Sequence, residues 1–265
     1  MKAWLFDVDG VITNPELKKA NPQIIKKLSE ILERGEILGF NTGRALEFVI
    51  EEVLKPLEVT LTNKDLLYNV FFVGEKGGMW GDYKNGKIEN IVDPQISIPD
   101  ELNQKIRDLI SFKYSDNMFF DETKRTMIST EFKKGTDLSK FHEEQKILVE
   151  EMRKILEHQG LNNLTIEPSI IATDIQNPHV GKDLGVERFL MLIKGKGEPE
   201  EFETFGDSPG DLEMHKYLVK HGRKSKFIYV GNKEIENDPN VVKTTAKFDE
   251  GTLEYLLNLT SNGIL

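Results

Sequence analysis

Acidic residues with short spacing follow two of the apolar segments in the sequence. Asp7 and Asp9 are two positions apart, and Asp207 and Asp211 are four positions apart. Two carboxylates at the end of a buried strand repel each other and lose hydration, so such a pair needs a cation or a proton. Carboxylate oxygens without histidine or cysteine suit a hard cation, and Mg²⁺ suits them best where phosphate is also bound. Each pair taken alone also fits a polar turn or a helix cap.

Two further segments supply groups that could bind an anion. Thr42 and Gly43 follow the apolar segment Ile37–Phe40, and Lys182 precedes a predicted helix. A hydroxyl and backbone N–H groups at the start of a helix form a cradle for an anion. Taken singly, Thr42 also fits a simple helix cap, and Lys182 also fits a solvated surface lysine.

The elements that would position these residues alternate between strand and helix. Ala3–Phe6 and Ile37–Phe40 are short apolar segments typical of buried parallel strands. The helix between them is predicted to have Asn21 as its N-cap, Pro22 at its first position and Gly35 at its end. Alternating strands and helices predict a parallel α/β sheet, and the carboxyl ends of such strands meet at one edge. The acidic pairs, the threonine and the lysine would therefore lie close together.

The middle of the chain has a different pattern from its two ends. The C-terminal third repeats the alternation of strand and helix, with a strand at Phe202–Phe205. Segments such as Thr126–Phe132 instead alternate in polarity, as in an antiparallel sheet, and helices are predicted after Pro99 and Asp137. The predicted fold class is α/β, with a Rossmann-like parallel sheet core formed by residues 1–80 and 176–265. Residues 81–175 are predicted to be an inserted α+β domain.

The composition limits the classes of partner. The 265 residues carry a formal net charge of −10, which disfavours nucleic acid and anionic membranes as main partners. The chain has no cysteine, which excludes thiolate catalysis and cysteine zinc sites. Neither G-x-G-x-x-G nor G-x-x-x-x-G-K-[ST] occurs, which disfavours a nucleotide-binding fold. The apolar start of the chain is interrupted by Asp7 and Asp9, unlike a signal peptide, so a cytoplasmic location is expected.

Taken in order, these segments resemble the four motifs of the haloacid dehalogenase (HAD) superfamily of phosphatases. The similarity extends to two further stretches, one that precedes a type-2 cap in that family and one near the C-terminus of its members. The position and size of the inserted domain suit a C2B cap. The sequence departs from the family where Val11 replaces the usual threonine. The matching segments are Asp7-Val8-Asp9-Gly10, Thr42, Lys182, Gly206-Asp207-x-x-x-Asp211, Glu75-Lys76-Gly77-Gly78 and Val230-Gly231-Asn232.

The resemblance implies a role for each matched residue. Asp7 would be the nucleophile and Asp9 the general acid and base, while Thr42 and Lys182 would bind the phosphoryl oxygens. Mg²⁺ would be held by Asp7, Asp207 and the backbone carbonyl of Asp9, with Asp211 behind them or bound through water. Candidate substrate-binding residues are Gly43, Arg44 and Asn232 in the core and Lys124 and Arg125 in the cap, the last two also fitting an exposed ion-paired surface.

The resulting hypothesis is a Mg²⁺-dependent phosphatase that acts on a small phosphorylated metabolite, namely a sugar or polyol phosphate, through an aspartyl-phosphate. One alternative is a phosphosugar mutase of the same superfamily. Another is a receiver-like signalling module that is phosphorylated on aspartate, although Asp9 and the inserted domain argue against it. The chain is expected to be a monomer or a small homo-oligomer.

Overall fold

Short β-strands occur along most of the described chain. A computed structural model describes residues 1–84 and 86–261. The strands among these residues are β1 (Lys2–Phe6), β2 (Ile37–Asn41), β3 (Val70–Gly74), β4 (Met79–Lys84), β5 (Lys87–Val92), β6 (Met118–Phe120), β7 (Ile128–Phe132), β8 (Thr165–Pro168), β9 (Ala172–Gln176), β10 (Glu201–Gly206), β11 (Ser225–Tyr229) and β12 (Val241–Lys243).

The α-helices of the described residues connect these strands. They are α1 (Pro22–Glu33), α2 (Leu46–Val49), α3 (Lys55–Thr60), α4 (Asp100–Leu109), α5 (Leu138–His158), α6 (Lys182–Leu192), α7 (Leu212–Lys220) and α8 (Phe248–Ser261). One π-helical segment, Ile50–Leu54, joins α2 to α3, and another, Ile110–Tyr114, follows α4. None of the helices in residues 1–84 and 86–261 has the length and hydrophobicity needed to cross a membrane.

The first compact unit comprises Met1–Ile91 and the chain from Gly181 onward. Its sheet has the order β12-β11-β10-β1-β2-β3-β4-β5. The strands from β12 to β3 run parallel, whereas β4 pairs with β3 in the antiparallel direction. Strands β2, β3 and β10 are buried along their whole length, as expected for a parallel sheet that is covered on both faces.

Local sequence signals account for the first helix of this unit. The side chain of Asn21 accepts a hydrogen bond from the backbone N–H of Gln23 at 3.0 Å, and Pro22 occupies the first helical position. One face of α1 is buried in the core and carries Ile24, Ile25, Leu28, Ile31 and Leu32. The predicted helix start is therefore confirmed, and burial of this face supplies most of its stability.

The second compact unit is Val92–Val180. It contains a four-stranded antiparallel sheet in the order β6-β7-β9-β8. Apolar residues of α4 and α5, such as Leu102 and Leu148, pack with Ile128 and Ile175 of the sheet. Helix α5 begins after Asp137, whose side chain accepts hydrogen bonds from the first turn.

The predicted fold class is confirmed, because a large parallel sheet with helices forms the core and an α+β unit is inserted into it. The units divide after Ile91 and after Val180, whereas the sequence prediction divided the chain after residues 80 and 175. The first difference arises because β4 and β5 continue the sheet of the first unit.

Candidate active site

The carboxyl ends of β1, β2 and β10 converge on the ammonium group of Lys182. Lys182 is the first residue of α6 in the structure, whereas the sequence pattern predicted that it precedes the helix. Its Nζ atom donates to Asp7 Oδ1 at 2.7 Å and to the backbone oxygen of Asn41 at 2.7 Å. It also forms an ion pair with Asp211 Oδ1 at 2.8 Å. Residues that are distant in the sequence therefore meet at one edge of the sheet.

The turn after β10 fixes the position of Asp211. The backbone N–H and the hydroxyl of Ser208 donate to Asp211 Oδ2 at 3.0 and 2.7 Å, and the backbone N–H of Asp211 donates to the side chain of Ser208, which completes a capping box. Gly206 makes room for this side chain, because a Cβ atom there would lie 2.1 Å from the Cβ of Asp211. One oxygen of Asp211 thus orders the turn while the other faces Lys182.

Close backbone approach also shapes the surroundings of Asp207. Gly10 has a φ of +70°, and a Cβ on it would lie 2.5 Å from Asp207 Oδ2. A Cβ on Gly231 would lie 1.9 Å from the backbone oxygen of Asp207. Glycine is therefore required at both positions for the loops after β1, β10 and β11 to pack together.

Three carboxylates form a group that could hold a cation. Ligand oxygens of Asp7, Asp207 and Asp211 all lie within 4.8 Å of one another. Burial raises the pKa of Asp7 to about 8, aided by the charges of Asp211 and Asp9 and opposed by Lys182. Burial and the charge of Asp211 likewise raise the pKa of Asp207 to about 6. The donor set is all oxygen and short of positive charge, which fits a hard divalent cation.

Lys182 balances only part of this negative charge. Burial alone would lower its pKa, but the charges of Asp211 and Asp7 raise the pKa of Lys182 above its ordinary value. The ammonium group is therefore protonated at neutral pH and can face a phosphoryl oxygen.

The carboxylate of Asp9 has different partners from that of Asp7. Arg44 donates to it through Nε and Nη2 at 2.9 and 3.1 Å, and Lys18 Nζ lies 3.5 Å from Asp9 Oδ1. Burial opposes the shift, but the hydrogen bonds and charge of Arg44, with Lys18, hold the pKa of Asp9 below its ordinary value. Asp9 is therefore ionised here, and the structure places Arg44, a predicted substrate-binding residue, on this carboxylate.

Thr42 is buried beside the group, and its hydroxyl makes a local contact. The Oγ1 atom accepts a hydrogen bond from the backbone N–H of Arg44 at 3.1 Å. Its own N–H donates to the backbone oxygen of Val73. At Gly43 a Cβ would meet only the side chain of Lys76, at 3.8 Å, so packing does not require glycine there.

Three more residues were predicted to bind substrate. Asn232 is exposed in the loop after β11. Lys124 and Arg125 belong to the second unit and line a polar groove of about 390 Å³ together with Asp100, Asn103, Gln104, Arg107, Phe120 and Glu122.

Three residues of the site were not assigned a role from the sequence. Lys18 pairs with Asp9, Ser208 orients Asp211, and Asn41 contacts Lys182. Asn41 offered a signal, because it is a polar residue at the end of an otherwise apolar strand. Lys18 offered none, since its contact depends on how the loop before α1 folds.

Solved structures share this architecture. The C-terminal domain of a trehalose-6-phosphate phosphatase from C. albicans has a TM-score of 0.70 at 15% identity, with 98% of this chain and 93% of that chain covered. A haloacid dehalogenase-like hydrolase from Bacteroides thetaiotaomicron has a TM-score of 0.67 at 15% identity, with 97% and 99% covered. The chain has the haloacid dehalogenase-like fold.

A third structure with this fold is the sucrose-phosphatase of Synechocystis, solved in complex with sucrose and phosphate. It has a TM-score of 0.55 at 16% identity, with 97% of each chain covered. No family model and no curated protein sequence matches the chain. The likeness to this fold therefore rests on three-dimensional structure, and the motifs predicted from the sequence occupy its strand ends.

Proposed function

We propose that the chain is a Mg²⁺-dependent phosphomonoester hydrolase that acts on a sugar or polyol phosphate. The observation that carries the proposal is the contact of Lys182 with Asp7 and Asp211, beside Asp207, at the strand ends of a haloacid dehalogenase-like sheet. A nucleophilic carboxylate, an anion-binding ammonium and an acidic metal group are the three components that phosphoryl transfer to aspartate needs.

In this mechanism Asp7 attacks the phosphorus atom with one carboxylate oxygen. A bond forms between Asp7 and phosphorus while the bond from phosphorus to the ester oxygen breaks, which leaves an aspartyl-phosphate and an alkoxide that must gain a proton. Lys182 faces Asp7 at 2.7 Å and can stabilise the charge on the phosphoryl oxygens. The buried Thr42 backbone and hydroxyl lie at the adjacent strand end.

Asp9 supplies and then recovers the proton. It would protonate the leaving alcohol, and its carboxylate would afterwards take a proton from the water that hydrolyses the aspartyl-phosphate. The ionised state found here, paired with Arg44, suits the second step. To act as an acid in the first step, Asp9 must weaken its contacts with Arg44 and Lys18, because these contacts lower its pKa.

The metal requirement follows from the charges of the site. Asp7, Asp207 and Asp211, with the backbone carbonyl of Asp9, would hold Mg²⁺, which when bound offsets the repulsion between the carboxylates and the phosphate dianion. The raised pKa values of Asp7 and Asp207 support this assignment, because burial and neighbouring carboxylates raise them and a bound cation would oppose both effects.

The substrate class is supported by the structures that share the fold. Two of them are named as phosphatases of trehalose-6-phosphate and of sucrose phosphate. The inserted α+β unit would select the leaving group, with Lys124 and Arg125 as candidate contacts. The proposed partner is therefore a small phosphorylated metabolite.

The test is a phosphate-release screen over phosphorylated sugars and polyols with Mg²⁺, run with wild type and with Asp7→Asn. We expect release by wild type and a loss on the order of a thousandfold or more for Asp7→Asn. Release by Asp7→Asn at the wild-type rate would overturn the nucleophile. Isomerisation of a sugar phosphate without net release would favour a mutase instead, and stable phosphorylation of the chain without turnover would favour a receiver-like module.

A further inference from the structure

The buried side chain of Asn41 connects the end of β2 to the start of α6. Its Nδ2 atom donates to the backbone oxygen of Lys182 at 2.8 Å, and its own backbone oxygen accepts from Lys182 Nζ at 2.7 Å. Asn41 therefore contacts Lys182 at both ends, through the main chain that starts the helix and through the ammonium group. Its exposed fraction is 0%.

The orientation of the amide follows from this contact. A flipped amide would point Oδ1 at the carbonyl oxygen of Lys182, and two acceptors would then face each other. In the observed orientation Oδ1 is buried, and none of the described residues donates a hydrogen bond to it. Among the described residues, the hydrogen bond that this amide makes is therefore the one to Lys182.

Gly185 provides the space that the amide occupies. A Cβ atom on Gly185 would lie 2.1 Å from Asn41 Oδ1 and 2.4 Å from both Cγ and Nδ2. Gly185 is the fourth residue of α6 and has helical hydrogen bonding, so no backbone requirement explains a glycine there. An interior helical glycine is itself destabilising relative to alanine.

The start of α6 has no side-chain cap, although the backbone N–H of Gly181 donates to the backbone oxygen of Lys76 at 2.8 Å. Its N-cap is Gly181, which has no side chain to cap the helix. The direction of the Lys182 side chain depends on where this first turn lies, and its Nζ must reach both Asp7 and Asp211. The amide of Asn41 donates a side-chain hydrogen bond to the main chain of Lys182 itself, and it ties this first turn to the end of β2.

We propose that Asn41 is a positioning residue for Lys182, and that Gly185 is required by this role. The kinetic part of this inference rests on the proposed phosphatase function. Asn41 does not contact the phosphoryl group in this scheme. It fixes the first turn of α6, so that the ammonium group spans the nucleophile and the acidic turn.

The first test is Asn41→Ala, assayed with the best substrate of the phosphate-release screen. We expect kcat to fall about 10- to 100-fold, the range typical of residues that orient a catalytic group. KM should change much less, because a misplaced ammonium loses more contact in the transition state than in the bound substrate.

The second test combines this change with Gly185→Ala. Alone, Gly185→Ala pushes the amide aside and should lower both the melting temperature and kcat. In Asn41→Ala/Gly185→Ala the new methyl group fills the space left by the amide and improves helix propensity, so the melting temperature should rise above that of Asn41→Ala. We expect kcat of the double variant to stay low, and recovery of kcat with stability would overturn the proposal.

A matched control is Ser225→Ala in the same unit. Ser225 makes a buried contact of 3.0 Å between its hydroxyl and His215 Nδ1, which also ties a strand to a helix. This variant should lose stability while keeping the wild-type kcat. If Ser225→Ala lowered kcat as much as Asn41→Ala does, the loss of any buried hydrogen bond between a strand and a helix would be sufficient to lower kcat. That result would contradict a specific role for Asn41.

A crystal structure of Asn41→Ala tests the geometry even if wild type releases no phosphate. We expect the first turn of α6 to shift and Lys182 Nζ to leave hydrogen-bonding distance of Asp7 or Asp211. If Asn41→Ala does not fold, the double variant serves the same purpose. An unmoved Lys182 would overturn the positioning role, whereas an inactive wild type with a displaced Lys182 would overturn only the phosphatase function.

Discussion

Both ends of the parallel sheet in the first unit carry buried charges, but the two ends are balanced differently. At the amino end, the fully buried Glu203 accepts from Lys2 Nζ at 2.8 Å. Its neighbour Glu201 lies within 4 Å of Lys2, Lys224 and Lys226. Two carboxylates thus face three ammonium groups.

The carboxyl end has the opposite balance. Asp7, Asp207 and Asp211 lie together, and Lys182 is the ammonium group of the described residues that pairs with them. Burial raises the pKa of Asp7 and Asp207 here, whereas the lysines at the amino end lower the pKa of Glu201 despite its burial.

This difference is the one expected between a structural charge cluster and a ligand-binding one. A buried cluster that satisfies its own charges can hold strands in register without a ligand. A cluster with unbalanced negative charge weakens the fold and gains stability when a cation binds. Four predictions test this distinction.

The largest effect is expected for Lys182→Met, which removes the only ammonium group from the carboxyl-end cluster of the described residues. Phosphate release should fall about a hundred- to a thousandfold, as for the loss of one group that stabilises transition-state charge. Steady-state kinetics with the best substrate would measure it, with circular dichroism to verify folding. A kcat within a few-fold of wild type would show that the cluster at the carboxyl end of the sheet does not take part in phosphate release.

The matched change at the amino end is Lys2→Met. It leaves the buried Glu203 without its closest cation, so the free energy of unfolding should drop by roughly 3 kcal/mol. The kcat for the proposed phosphate release should not change in the folded variant. Urea denaturation and kinetics on the same preparation measure both, and a selective loss of kcat would mean that the amino end is not merely structural.

Mg²⁺ should stabilise the fold by binding the cluster at the carboxyl end of the sheet, and it should not bind the cluster at the amino end. At a concentration about 100 times its Kd, Mg²⁺ should add about 2.7 kcal/mol to the stability of wild type. This gain should persist in Glu201→Gln and vanish in Asp207→Asn. Asp207→Asn should also melt higher than wild type in metal-free buffer at about pH 8, because the raised pKa of Asp207 makes its ionisation unfavourable there.

Persistence of the Mg²⁺ effect in Asp207→Asn would contradict the assigned metal group. Thermal melts with and without a chelator provide the measurement.

The smallest effect concerns acid stability at the amino end. The pKa of Glu201 is lowered in the folded chain, so its contribution is present above its unfolded pKa and is lost as the pH falls through the folded value. Between about pH 6 and about pH 3, wild type should therefore lose more stability than Glu201→Gln, by up to about 1 kcal/mol. Urea titrations across this range measure the difference, and identical slopes would mean that the lysines do not compensate Glu201.

Features that depend on neighbouring residues could be predicted from the sequence. The helix after Asn21 and Pro22 and the helix after Asp137 begin where their capping residues indicate. The parallel sheet also follows from local pattern, because short apolar strands separated by helices have few other ways to bury both faces.

Features that depend on long-range pairing could not be predicted. β4 and β5 lie at one edge of the first sheet, and nothing in the residues of β4 indicates that it pairs with β3. Likewise, Arg44 followed a motif that suggested substrate binding, and its pairing with Asp9 depends on loop geometry across 35 positions. The convergence of strand ends was predictable because topology alone brings them together, whereas the partner of each side chain was not.

The carboxylate of Asp211 makes two different contacts at the same time. Asp211 closes the capping box with Ser208 through one oxygen and pairs with Lys182 through the other. We expect a replacement of Asp211 to loosen the turn and to misplace Lys182 together, so the stability of the turn and the placement of the lysine cannot be changed separately at this position. Substitutions that aim to raise the stability of the protein should therefore be made at other positions of the chain.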